Sequence, residues 1–108
     1  MPKPSYKKEN TKNHPLVGSW VNGDEYATET EYIVTSHGTG FKVRAIDRYD
    51  GEVGDVFEVK WDGETLSFAV LWNSTGRFLR CKLVAISKNR VSYAYTFTDN
   101  ETWQRKTA

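Results

Sequence analysis

The chain has 108 residues, of which 38% are hydrophobic, 14% aromatic and 27% charged, with a formal net charge of +1. That length suits a single domain, and a few large rings can supply much of a small core. The single cysteine, Cys81, excludes a disulfide framework and a cysteine-based zinc site. No apolar run approaches the roughly 20 residues of a membrane-spanning helix. The N-terminal lysines are not followed by an apolar stretch, so no secretory signal is read there. A cytoplasmic location and no membrane partner are the expectations.

Residues 1–15 (MPKPSYKKENTKNHP) hold all three prolines and four lysines, carry a charge of +3, and offer little to bury. They read as a disordered basic tail. The remainder, residues 16–108, carries −2 and reads as a single β-barrel domain. It lacks the basic face that nucleic acid requires, so no nucleic-acid partner is expected.

Turn signals recur after Pro15 at Asn22-Gly23, His37-Gly38, Asp50-Gly51, Asp62-Gly63, Asn73 to Gly76, Lys88-Asn89 and Asp99-Asn100. Gly, Asn and Asp tolerate the positive φ of tight hairpins. These turns bound eight strand-length segments, none broken by proline or showing helical periodicity. Alternation assigns each a face. The first gives Gly18, Trp20 and Asn22. The second sets Tyr26, Thr28, Thr30, Tyr32 and Val34 against Glu25, Glu29 and Glu31. The third sets Phe41, Val43, Ala45 and Asp47 against Lys42, Arg44 and Arg48. The fourth sets Val53, Asp55, Phe57, Val59 and Trp61 against Glu58 and Lys60. The fifth gives Leu66, Phe68, Val70 and Trp72. The sixth sets Arg77, Leu79, Cys81, Leu83 and Ala85 against Arg80 and Lys82. The seventh gives Val91, Tyr93, Tyr95 and Phe97, and the eighth Glu101, Trp103 and Arg105.

A sheet wet on one face only can bury the other by closing on itself, which also removes exposed edges. The predicted fold is therefore all-β: an eight-stranded antiparallel up-and-down meander closing into a barrel. A flattened two-sheet sandwich of the same connectivity is the structural alternative.

Gly18-Ser19-Trp20 at the opening of the first strand, with Arg105 late in the last, resembles the GxW signature and late-strand arginine of the lipocalins. The whole of residues 16–106 is similar to the wider calycin group. The chain is shorter than a lipocalin and lacks its disulfide cysteines and C-terminal helix. The resemblance implies a barrel and a pocket, with Arg105 packed across Trp20 as a cation–π plug at the closed end; it does not supply a ligand.

Strand direction makes the two ends unlike. The turns near Asn22, Asp50, Asn73 and Asp99 share one end, the mouth. Asp47, Asp55, Arg77 and Glu101 point inward there, near Tyr26, Trp72 and Tyr95. The opposite end is apolar: Val34, Phe41, Trp61, Leu66, Leu83 and Val91. Inward charges must pair, reach water or meet a ligand. One reading is a solvated rim with Arg77 bridging a carboxylate. The other is a pocket for a small amphipathic or aromatic molecule, its polar end near Arg77 and its body against Tyr32, Phe57, Phe68 and Tyr93. The candidate ligand-binding set is Tyr26, Thr28, Thr30, Tyr32, Asp47, Phe57, Phe68, Trp72, Arg77, Tyr93, Tyr95 and Glu101. An interior filled by side chains, serving as a structural or protein-interaction module, is the alternative. A small acid–base enzyme using Asp47, Glu101 and Arg77 is a second alternative. Nothing in the spacing calls for catalysis, a metal or a cofactor, and Cys81 reads as a small core residue. Outward apolar residues Ile33, Ile46, Val56, Leu71, Phe78, Val84 and Ile86 exceed what a wet face needs. A cluster of them points to a homodimer.

Overall fold

Hairpin turns fall at His37-Gly38, Asp50-Gly51, Asp62-Gly63, Asn73 to Gly76 and Lys88-Asn89, and they set the architecture. The computed structural model describes residues 10–24 and 29–107. Seven antiparallel strands follow one another: β1 (Gly18–Val21), β2 (Thr30–His37), β3 (Gly40–Asp47), β4 (Val53–Trp61), β5 (Thr65–Trp72), β6 (Arg77–Ser87) and β7 (Arg90–Thr98). Each pairs only with its sequence neighbours, in the sheet order β1 to β7. Gly38 (φ 61°) and Gly63 (φ 97°) supply the left-handed backbone at the β2–β3 and β4–β5 corners. Among the described residues there is no helix, and no helix is long and apolar enough to cross a membrane.

The register fixes what faces inward. Tyr32 lies opposite Ala45 and Trp20, Phe68 opposite Cys81, Leu66 opposite Leu83, and Leu83 and Cys81 opposite Tyr93 and Tyr95. Leu16, Val34, Ala45, Leu66, Val70 and Leu83 are almost wholly buried in this core. The meander curls into a half-barrel. It does not close by hydrogen bonding: β1 pairs with β2 alone and β7 with β6 alone. No Cα of β1 comes within 8 Å of β7.

Three features differ from the sequence expectation. First, the eighth segment is not a strand: residues 99–107 are irregular, and Trp103 is 84% exposed. Trp103 is the segment's only large apolar side chain, so there is no apolar face for a ladder to bury. Its indole donates to Glu101 Oε1 at 2.8 Å instead.

Second, β4 carries a bulge between Phe57 and Lys60, with Glu58 at a φ of 54°. An extra residue in one strand turns everything before it to the opposite face. Trp61, opposite Leu66, faces inward as alternation predicts, but Asp55 pairs with Leu71 and Phe57 with Ala69 on the outer face. Gly54, opposite Ala45, and Val56, opposite Val70, take the inner positions.

Third, residues 10–15, assigned to the tail, are packed against the base. Thr11 is 4% exposed, and its hydroxyl donates to the Gly40 carbonyl at 2.6 Å and bonds Ser36 Oγ at 2.8 Å. The His14 ring meets Phe41 and Trp61 edge-on at 5.5 and 5.0 Å. Trp20 Nε1 donates to the Leu16 carbonyl at 2.8 Å. The apolar end of the half-barrel is thus stoppered by its own N-terminal segment, while Arg105 lies exposed in the irregular C-terminal stretch.

Candidate functional site

Strand alternation brings Tyr32 from β2, Cys81 from β6 and Tyr93 from β7 to one point on the concave face. The two tyrosine hydroxyls are 2.6 Å apart, and Cys81 Sγ lies 3.3 Å from the Tyr93 hydroxyl. Burial is the main cause that pushes the pKa of Tyr32 up, with the neighbouring Cys81 adding to it. Burial also raises Tyr93, reinforced by hydrogen bonds from Cys81 and Tyr32, and it raises the Cys81 thiol. All three are neutral at neutral pH, and a buried protonated thiol is a poor nucleophile.

Above this cluster the unclosed side of the half-barrel forms a cleft of about 510 Å³. Ligand sites typically measure about 300–1,000 Å³. Its walls come from both free-edge hairpins. Trp20 and Tyr32 stand on the β1–β2 side, Trp72 and Arg77 flank the β5–β6 turn, and Leu79, Leu83, Val91, Tyr93 and Tyr95 stand on β6–β7. On β7 the Tyr93, Tyr95 and Phe97 rings form a stacked ladder, with centroids 5.1 and 6.4 Å apart.

Arg77 sits at the mouth with its guanidinium carbon 4.1 Å from the centre of the Phe97 ring. Its Nε is shut away from water with no hydrogen-bond acceptor among the described residues. The ion pair found among the described residues is elsewhere, Arg80 with Glu58 at 2.9 Å on the outer face. The carboxylates at the mouth are already engaged. Glu52 accepts from Ser74 Oγ at 2.6 Å and from the Ser74 backbone at 3.1 Å, clamping the β3–β4 turn to the β5–β6 turn. Asp47 Oδ1 accepts from the Tyr49 backbone at 2.8 Å. Among the described residues Arg77 bridges no carboxylate.

Of the sequence candidates, Thr30, Tyr32, Asp47, Trp72, Arg77, Tyr93 and Tyr95 line the cleft. Phe68 is on the inner face but 3% exposed, packed edge-on to Tyr32 at 5.3 Å, beneath the cleft rather than in it. The bulge places Phe57 on the outside. Glu101 is exposed in the irregular segment and outside the cleft, so it does not face Asp47 as the acid–base alternative requires. Tyr26 and Thr28 fall outside the described residues. Trp20, Glu52 and Ser74, which the alternation pattern does not mark as ligand-binding, also line the cleft. Trp20, opposite Tyr32, faces inward as its alternation with Gly18 predicts. Among the described residues no group of three or more His, Cys, Asp or Glu is placed to hold a metal ion.

The outer face carries its own apolar patch where β3–β6 run side by side. Ile46 lies opposite Val53, Phe57 opposite Ala69 and Leu71 opposite Phe78; Val53 and Phe57 are 45% and 44% exposed.

Comparison with known proteins gave no matching family model, no similar curated protein and no similar solved structure.

Proposed function

We propose that this chain binds a small amphipathic or aromatic molecule in the cleft between its β1–β2 and β6–β7 hairpins. The observation that carries the reading is a cavity of about 510 Å³ walled by Trp20, Tyr32, Trp72, Tyr93 and Tyr95. Faces of this kind bury large areas of a planar ligand, while a few polar groups orient it. The lipocalin-like reading belongs to the same proposal, as does a closed eight-stranded barrel. In that form residues 101–107 lie in the gap between β7 and β1, with Trp103 turned from water onto the ligand.

Native mass spectrometry of protein purified from its own host is expected to show a bound small molecule that is released on denaturation. Thr30→Trp, which fills the mouth, is expected to remove it. A ligand-free protein, together with no quenching of tryptophan fluorescence by any aromatic probe, overturns the reading.

The outer patch supports a second reading, a protein-interaction module whose partner is another copy of this chain. The patch is bordered by Arg80, Glu58 and Asp55, charges of both signs, which a two-fold axis can set against one another. Light scattering across a concentration series is expected to show a dimer, with Phe57→Asp shifting it to monomer. A wild-type protein that stays monomeric at its highest soluble concentration removes this reading.

A further inference from the structure

Resting on the cleft-binding reading, we infer that the ligand is a small aromatic carboxylate, held by a salt bridge to Arg77 with its ring against the β7 aromatic ladder.

The inference starts from an imbalance at the mouth. A guanidinium presents five N–H donors in a fixed fork. In Arg77 none of them has an acceptor among the described residues, and Nε is closed off from water as well. The carboxylates nearby do not lack partners in the same way: both Glu52 oxygens take donors from Ser74, and Asp47 takes one from Tyr49. What Arg77 lacks among the described residues is therefore an acceptor. Only Nε is sealed; the Nη groups are not among the buried atoms, so they are the donors open to an incoming anion.

The guanidinium is also fixed in place. Its central carbon lies 4.1 Å from the centre of the Phe97 ring, so a cation–π contact restrains it before any anion arrives, and less freedom is lost on binding. Among the described residues Arg77 is the only cationic side chain lining the cleft. A planar two-oxygen acceptor matches the fork through charge-assisted hydrogen bonds.

The ligand's body follows from the wall. Tyr93 and Tyr95 lie nearly parallel, at 21° between planes and 5.1 Å between centroids, and Phe97 continues the ladder at 27° and 6.4 Å. Tyr95 and Phe97 are each about half exposed, at 53% and 49%. Successive near-parallel rings with open edges offer a flat ligand an offset-stacked position. An unbranched alkyl acid gains area there but no ring contact.

The test uses three probes of one shape and different charge: 2-naphthoate, 2-naphthalenemethanol and 2-naphthylmethylammonium. Binding is followed by tryptophan quenching, with a parallel arm using decanoate. Naphthoate is expected to bind tightest. Arg77→Gln is expected to weaken it roughly 10- to 100-fold while leaving naphthalenemethanol within about twofold, which also shows that the variant retains its cleft. Arg77→Lys, which keeps the charge without the fork, is expected to recover part of the loss. If naphthalenemethanol binds but naphthoate is no tighter, or if the ammonium probe or decanoate binds best, the inference fails and the cleft-binding reading survives. If none of the probes binds, both fail.

Discussion

Stability is expected to fall steeply as pH rises above about 10, the ordinary tyrosine pKa. Tyr32, Tyr93 and Cys81 all hold their protons more tightly in the folded chain than an unfolded one does, chiefly because burial penalises their charged forms. Below the unfolded values, about 8.5 for cysteine and 10 for tyrosine, folded and unfolded chains bind the same protons and the full stability is present. Above them the unfolded chain releases protons that the folded chain retains, so each added pH unit favours unfolding. Each group contributes at most about 1.4 kcal/mol per pH unit, and the two tyrosines together at most about 3 kcal/mol per pH unit. Urea unfolding at pH 8, 10 and 11 measures the slope. The double variant Tyr32→Phe/Tyr93→Phe, which titrates neither group, is expected to show a much shallower decline. Parallel declines in wild type and double variant remove the hydroxyl pair as the cause.

Gly54→Ala is expected to destabilise the protein by about 2 kcal/mol, within the range seen when a methyl group is forced into a filled core. A Cβ at Gly54 meets Val70 Cγ1 at 2.7 Å and the Trp72 ring at 3.4 Å. Val70 cannot yield easily: it is β-branched, stiff at χ1 and fully buried. Gly54 stands where β4 leaves its short ladder with β3 and begins its ladder with β5, a corner at which the opposing side chains reach the backbone. Val70→Ala in the same chain makes room, so the double variant is expected to be more stable than the sum of the two single changes. Additive losses in urea unfolding count against the steric account.

Much of the fold is legible in the sequence because the turns are chemically marked. The glycines that close the β2–β3 and β4–β5 corners sit where the dipeptides His37-Gly38 and Asp62-Gly63 announce them. Alternation on β2, β3, β5, β6 and β7 then orders the inner face, and with it the ring of Tyr32, Trp72, Arg77, Tyr93 and Tyr95 around the cleft. Phe57 reads as inward-facing because Val53, Asp55, Phe57, Val59 and Trp61 alternate without a break. A bulge announced by no glycine, carried instead by Glu58 at positive φ, leaves no trace in such a pattern. Trp103 misleads for the opposite reason: one ring among polar neighbours keeps the period of a strand while offering too little area to hold one. Thr11 and His14 look like leader by composition. Their burial depends on Gly40, Phe41 and Trp61, distant in sequence, which no local pattern reports.

The free edges of the half-barrel also bear on how the chain reaches its fold. No Cα of β1 comes within 8 Å of β7, and every strand forms its backbone ladder only with its sequence neighbours; the contacts between non-neighbours, such as Tyr32 with Tyr93, are made by side chains. Forming the sheet therefore needs no closure of a long loop, the step that slows sandwiches and closed barrels. Each hairpin can zip onto the one before it, and contact order stays low for an all-β chain. Refolding faster than that of a closed β-barrel of similar length is the kinetic signature of the open seam.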